Sequence, residues 1–134
     1  MADVDRSGRL LLHYAALEND TVKAKARLVA GDDPNAQDKQ GFTPLHFAAQ
    51  EWSTDVAQIL LDHGADVDRP NKHGNTPLYV ATFNSKGRGD LIALLRRHGA
   101  DPLRLNKSGQ TPVGLARLIG NYNVRRFFAD LPEQ

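Results

Sequence analysis

Two sets of glycines recur along this chain with one period. Gly8, Gly41, Gly74 and Gly109 open the segments GRLLLHYAA, GFTPLHFAA, GNTPLYVAT and GQTPVGLAR, at spacings of 33, 33 and 35 residues. Gly31, Gly64 and Gly99, in GDDPN, GADVD and GADPL, are 33 and 35 apart. Such a period specifies a stacked array, because one short unit cannot bury its apolar face alone and neighbours must bury it together.

Each unit reads as helix, turn, helix and extended turn. In the second, Thr43 caps a helix whose first position is Pro44, where a missing N–H costs nothing. Leu45, Ala48 and Ala49 form its apolar stripe, with alanines permitting close packing of neighbouring units. Ser53 or Thr54 starts a second helix carrying Val56, Ile59 and Leu60 at helical spacing. Gly64 ends that helix in a left-handed conformation. The turn-rich stretch Ala65–Gly74 then projects as a hairpin-like finger.

TPLHFAA at Thr43–Ala49 and HGADVD at His63–Asp68 resemble the ankyrin-repeat signature, and the likeness extends over about residues 5–131. It implies an all-α ankyrin-repeat solenoid of paired antiparallel helices with projecting β-turn fingers. Four repeats are assigned, at residues 5–37, 38–70, 71–105 and 106–134, within a single domain of residues 1–134. The two extra residues of the third fall between TPLYVA and LIALL, in the turn joining its helices. The first repeat has Leu10 and Leu11 in place of the TP pair, and the last ends with its second helix and no closing finger. Terminal repeats are atypical because one face meets water. Lys23, Lys25 and Arg27 suit one such end, and Arg125, Arg126 and Asp130 the other. The chain starts and stops at unit edges, as a complete protein is expected to.

Composition narrows the setting. A chain 40% hydrophobic and 25% charged has the balance of a folded protein, and its net charge of +1 gives no global pull towards nucleic acid or membrane. Without cysteine there is no disulfide framework and no thiolate metal site. MADVDRSGR lacks the apolar core of a signal peptide, and no stretch approaches the ~20 apolar residues of a membrane span. A cytoplasmic location follows as the expectation.

The polar residues read as architecture rather than catalysis. By the resemblance, His13 and His46 occupy the histidine of TPLH, which in the family hydrogen-bonds between neighbouring fingers. His63 and His98 precede Gly64 and Gly99, where a cation suits a helix C-terminus, and His73 sits on a fingertip. No pair has HExxH spacing, so no metal site is assigned. Asp32, Asp33, Asp66, Asp68 and Asp101 are turn formers. GADVDRPNKHGN lacks the terminal glutamate of a calcium loop. SKGRG, Ser85–Gly89, lacks the GK[ST] ending of a phosphate loop and follows no strand. No Ser–His–Asp or Cys–His arrangement is visible either. The expectation is a binding protein, not an enzyme, with no catalytic residue and no cofactor.

The resemblance places binding on the concave side, built from the fingers and the exposed ends of the first helices. Those positions are Arg6, Ser7, Arg9, Leu17 and Glu18, then Lys39, Gln40, Phe42, Gln50, Glu51 and Trp52. The third repeat adds Lys72, His73, Asn75, Phe83 and Asn84, and the fourth Lys107, Ser108 and Gln110. The contact residues expected among them are Arg9, Lys39, Phe42, Glu51, Trp52, Lys72, His73, Asn75, Phe83, Asn84 and Lys107, joined by Lys86 and Arg88 from the longer loop. Phe42, Trp52 and Phe83 have the character of hot-spot anchors. Trp52 stands where the family usually has glycine, and two readings stay open for it: a contact, or local packing over the turn between helices. Arg6, Arg9, Lys39, Lys72, Lys86, Arg88 and Lys107, set against Asp5 and Asp38, form a mildly basic rim suited to an acidic partner. Nucleic acid would require denser Lys/Arg with stacking aromatics along one groove.

A second resemblance lies in TPLYVA, the loop FNSKGRGD at Phe83–Asp90 and IGNYNVRRFF at Ile119–Phe128. Together they are similar to small bacterial ankyrin proteins of polymorphic or contact-dependent toxin systems. That likeness implies an immunity protein that neutralises a toxin by binding it; the basic rim makes an acidic-surfaced toxin domain the expected partner, and the polar ends suit a monomer. The alternative is a general scaffold or adaptor with no inhibitory role. Phe127 and Phe128 are expected in the core of the last repeat.

Overall fold

Threonine and proline set where the first helix of most units begins. Thr43, Thr76 and Thr111 are extended N-caps whose hydroxyl oxygens accept the N–H groups of His46, Tyr79 and Gly114 at 3.2, 3.4 and 3.0 Å. Pro44, Pro77 and Pro112 take the first helical positions of α3 (Pro44–Glu51), α5 (Pro77–Phe83) and α7 (Pro112–Leu118). The first unit manages without the TP pair. There α1 (Leu11–Glu18) opens with the His13 ring accepting the Leu10 N–H at 2.9 Å. The second helices are α2 (Thr21–Val29), α4 (Thr54–Asp62) and α6 (Asp90–Arg97).

This computed structural model describes residues 4–132. Residues 1–3 and 133–134, the two ends of the expected domain and the last positions of its final repeat, lie outside the described residues. Among the described residues there are seven α-helices and no strand, and the architecture is the expected all-α solenoid. Helices α1, α3, α5 and α7 stack in one layer, and α2, α4 and α6 in a second. Leu12, Leu45 and Leu78 from the first layer meet Val56, Leu60, Leu91 and Leu95 from the second, all of them buried. Each such side chain contributes roughly 1.5–3 kcal/mol of burial free energy.

The period of the glycines follows from how the fingers touch. Lys39 donates its backbone N–H to Ser7 O at 2.8 Å, Lys72 to Gln40 O at 3.0 Å, and Lys107 to His73 O at 3.0 Å. A Cβ on Gly41 would lie 2.8 Å from the Lys72 nitrogen, and one on Gly74 would lie 2.9 Å from the Lys107 nitrogen. Backbone meets backbone there, so no side chain fits.

A second ladder ties each first helix to the following finger. His13 Nε2 lies 3.0 and 3.1 Å from the carbonyl oxygens of Ala36 and Phe42. One unit on, His46 Nε2 reaches Asn75 O at 2.8 Å. In the third unit the Tyr79 hydroxyl donates to Gln110 Oε1 at 3.4 Å. The matching residue of α7 is Gly114, which has no side chain to send onward.

The end units depart from the pattern in different ways. At the N-terminal end Lys23 and Arg27 occupy the register of Val56 and Leu60. Lys23 pairs with Glu18 at 3.4 Å and Arg27 with Asp32 at 3.0 Å, so ion pairs stand where apolar contacts lie one unit later. At the other end the expected second helix of the last repeat is replaced by one 3₁₀ turn, Arg125–Phe128. Gly120–Asn123, with its glycine and two asparagines, is a poor continuation for a helix. Phe128 is nevertheless buried and Phe127 half-buried, and Arg96 holds Asp130 at 2.7 Å.

Candidate protein-binding face

Helix α5 turns Leu78, Ala81 and Thr82 into the core. Its remaining side, with Tyr79, Val80 and Phe83, lines a groove of about 260 Å³ together with Asn75 and Asn84. Phe83 is 68% exposed, far more than an aromatic ring kept for packing. Asn75 is fixed at the finger end of the groove. Its N–H donates to Asn71 Oδ1 at 3.1 Å, and its Oδ1 accepts from Asn106 Nδ2 at 2.8 Å. At the far end Asn84 Nδ2 donates to Val80 O at 3.0 Å and closes the last turn of α5. An apolar floor between two fixed amides can take one apolar side chain and the backbone polar groups beside it.

A file of cations runs along the fingertips. Arg6, Lys39, Lys72 and Lys107 each stand two residues before a finger glycine, and all four are exposed. Among the described residues none of the four makes an ion pair. His73 and Glu51 are exposed as well. Asn75, Phe83 and Asn84 are thus brought together around one groove, with Lys72 and His73 on the adjoining finger.

Other expected contact residues are drawn into the structure instead. Trp52 is not an exposed anchor: it is 8% exposed, and its indole N–H donates to Ala81 O at 3.2 Å. It caps α3 in the left-handed region, at φ 54°, a conformation that costs a bulky residue about 1–2 kcal/mol. Burial of the ring offsets that cost. Arg88 is exposed and makes no ion pair among the described residues, but its guanidinium is held in place. It lies over the Trp52 ring at 4.5 Å and donates to Ser85 O at 2.8 Å and Asn84 O at 2.9 Å.

Arg9 likewise serves the interior. It binds the fully buried Asp38 carboxylate at 3.2 Å and lies over Phe47 at 4.8 Å. Asp38 also accepts the N–H groups of Gln40 and Phe42, which shapes the finger. Phe42 is half-buried, stacked on Phe47 at 5.2 Å, so only part of its ring is available to a partner. Lys86 is exposed and sits with Arg88 in the α5–α6 turn, at the opposite end of the helix pair from the fingers. The expected basic rim therefore divides into a fingertip file and a separate loop.

Tyr79 and Val80 belong to the groove and were not among the expected contacts. They lie inside TPLYVA, a motif that reads as core. The available signal was Tyr79 itself, a half-exposed phenol in the position that His13 and His46 bury.

Electrostatics reinforce the architectural role of the histidines. Burial depresses His46 to about 4, against the pull of its bond to Asn75. The Thr43 N–H donates to His46 Nδ1 at 3.0 Å, so the neutral ring carries its proton on Nε2, facing Asn75. Burial lowers His13 in the same direction. The hydrogen bond from the Tyr14 hydroxyl is the main cause that holds Asp5 below its ordinary value. Among the described residues no group of three or more His, Cys, Asp or Glu is placed to hold a metal ion. No described helix is long and apolar enough to cross a membrane.

A family model described as ankyrin repeats, in three copies, matches residues 12–106. No curated protein matches the chain.

Proposed function

The chain belongs to the ankyrin-repeat family, a family of protein–protein interaction modules, and on that premise we propose that it is a dedicated inhibitor that binds one acidic-surfaced protein. The observation that carries this reading is the α5 groove. Phe83 is largely exposed there, framed by Asn75 and Asn84, with the unpaired Lys72 on the adjoining finger. An exposed aromatic beside fixed amides is the composition of a binding hot spot. The cation file on the fingertips adds attraction for an acidic surface and accelerates encounter.

The role fits a cytoplasmic immunity protein of a bacterial toxin system, acting as a monomer on a toxin domain. Residues 106–134 count as a fourth, terminal repeat of one domain spanning residues 1–134. Thr111, Pro112 and α7 repeat the Thr–Pro–helix start of the units before them. Catalysis has no part in this reading, since the groove presents amides and apolar carbon rather than a nucleophile with a base.

The test is affinity capture from the native cytoplasm, run in parallel with the wild-type chain and F83A. The inhibitor reading requires one stoichiometric partner, lost with F83A, whose activity falls when the chain is added. A partner that keeps its activity when bound, or a spread of weak partners, selects the scaffold alternative.

A further inference from the structure

Where α7 ends, the interruption of the last unit opens a polar cavity separate from the α5 groove. Arg117, Asn121, Tyr122, Asn123 and Arg125 are among the residues around this space of about 450 Å³. Arg117 and Arg125 also line an adjoining space of about 190 Å³ with Arg126. Among the described residues no acidic side chain lines either one. Asp130, close by in the sequence, is engaged by Arg96 at 2.7 and 2.8 Å.

The two guanidinium groups and the amide side chains give the cavity an abundance of donors. Arg117 Nη2 donates to Pro132 O at 3.0 Å, which orients the guanidinium without neutralising it. Arg125 makes no ion pair or side-chain hydrogen bond among the described residues. The Val124 N–H bonds to Tyr122 O at 2.9 Å, but the four preceding N–H groups, of Gly120, Asn121, Tyr122 and Asn123, reach no acceptor among the described residues. Consecutive free N–H groups are a recurrent element of oxyanion sites. Charge is unevenly distributed along the chain as well. Residues 71–134 hold ten Lys and Arg against four Asp and Glu, whereas residues 1–70 hold seven against twelve. The cavity lies in the cationic half.

We propose that this cavity is a binding site for a phosphomonoester group. Two guanidinium forks match the several oxygens and double charge of a phosphate better than a single carboxylate can. Gly120, Asn121, Tyr122 and Asn123 line the same space, beside the two arginines. The space is of the size that accepts a small ligand, within the common range of about 300–1,000 Å³. The site stands apart from the protein-binding groove and does not depend on it.

The experiment is a ¹H–¹⁵N NMR titration of the full chain with inorganic phosphate at constant ionic strength, with acetate as the monoanion control. Phosphate is expected to give saturable shifts at the amides of Gly120–Asn123. R125A, which removes no ion pair or side-chain hydrogen bond among the described residues, is expected to weaken that binding by at least about tenfold, the size of one charge-assisted hydrogen bond. R117K keeps the charge but not the fork, and weaker binding in a folded R117K assigns the planar contact to Arg117. Shifts that never saturate, that persist unchanged in R125A, that acetate reproduces, or that spread equally to Lys39 and Lys72 each overturn the proposal.

Discussion

The Nε2 of His46 donates to the carbonyl oxygen of Asn75 across 2.8 Å, joining α3 to the finger of the next repeat. The same ring accepts the Thr43 N–H on Nδ1, which needs a neutral imidazole, and burial enforces that state by holding the histidine at about 4. In the unfolded chain an ordinary histidine titrates near 6.5. Between these values the unfolded state binds more protons, so stability rises with pH across the window and is complete above it. Urea midpoints measured from pH 4 to 7.5 should therefore climb, with a contribution from His46 of roughly 3 kcal/mol. In H46N that climb should shrink, leaving the smaller part due to His13, which is shifted in the same direction.

Trp52 makes an inverted order of substitutions an expected result. W52A loses the buried indole and should cost about 3 kcal/mol. W52G loses the same ring but accepts φ 54° without strain, so it should be the more stable of the two by about 1 kcal/mol. Equilibrium denaturation of both variants decides this. A W52A more stable than W52G would mean that the left-handed cap carries no strain.

Phe83 should behave in the opposite way to Trp52. Its ring is mostly in water, so F83A should alter folding stability by less than about 0.5 kcal/mol. Affinity for the partner should fall by more than about tenfold, because truncating a hot-spot aromatic costs on the order of 2 kcal/mol. Calorimetric titration alongside thermal melting separates the two effects.

The fingertip cations predict a kinetic signature. Replacing Lys39, Lys72 and Lys107 with glutamine should slow association with an acidic partner several-fold and flatten its dependence on salt. Dissociation should change little, since these side chains are exposed and unpaired. Stopped-flow measurements from low to physiological ionic strength test this. An association rate indifferent to salt in the unmodified chain removes the steering role.

Legibility from sequence followed the range of the interactions involved. The TP caps, the finger glycines and the helix pairs were readable because each is local chemistry repeated at a fixed period. Trp52 was undecided because its fate depends on Ala81 O and Arg88, which the following unit supplies. Arg9 resembled a free rim charge until Asp38, 29 residues away, proved to be buried beneath it. The second helix of the last repeat was expected from the repeat pattern, yet Gly120–Asn123 locally outweighs that pattern and leaves a 3₁₀ turn. In the groove, Tyr79 and Val80 sat inside a motif that elsewhere is core. Nothing local distinguishes a motif residue that faces inward from one left on the open side.

Gly114 sets the direction in which this array can grow. His13, His46 and Tyr79 each hold the finger that comes after them, and α7 has only a hydrogen atom at that place. A unit appended after residue 134 would find no hand extended to it, whereas one duplicated between the second and third would inherit a donor on both sides. Lengthening by gene duplication, or by an engineer's splice, therefore keeps this bond at every junction only when it begins ahead of the Gly114 unit.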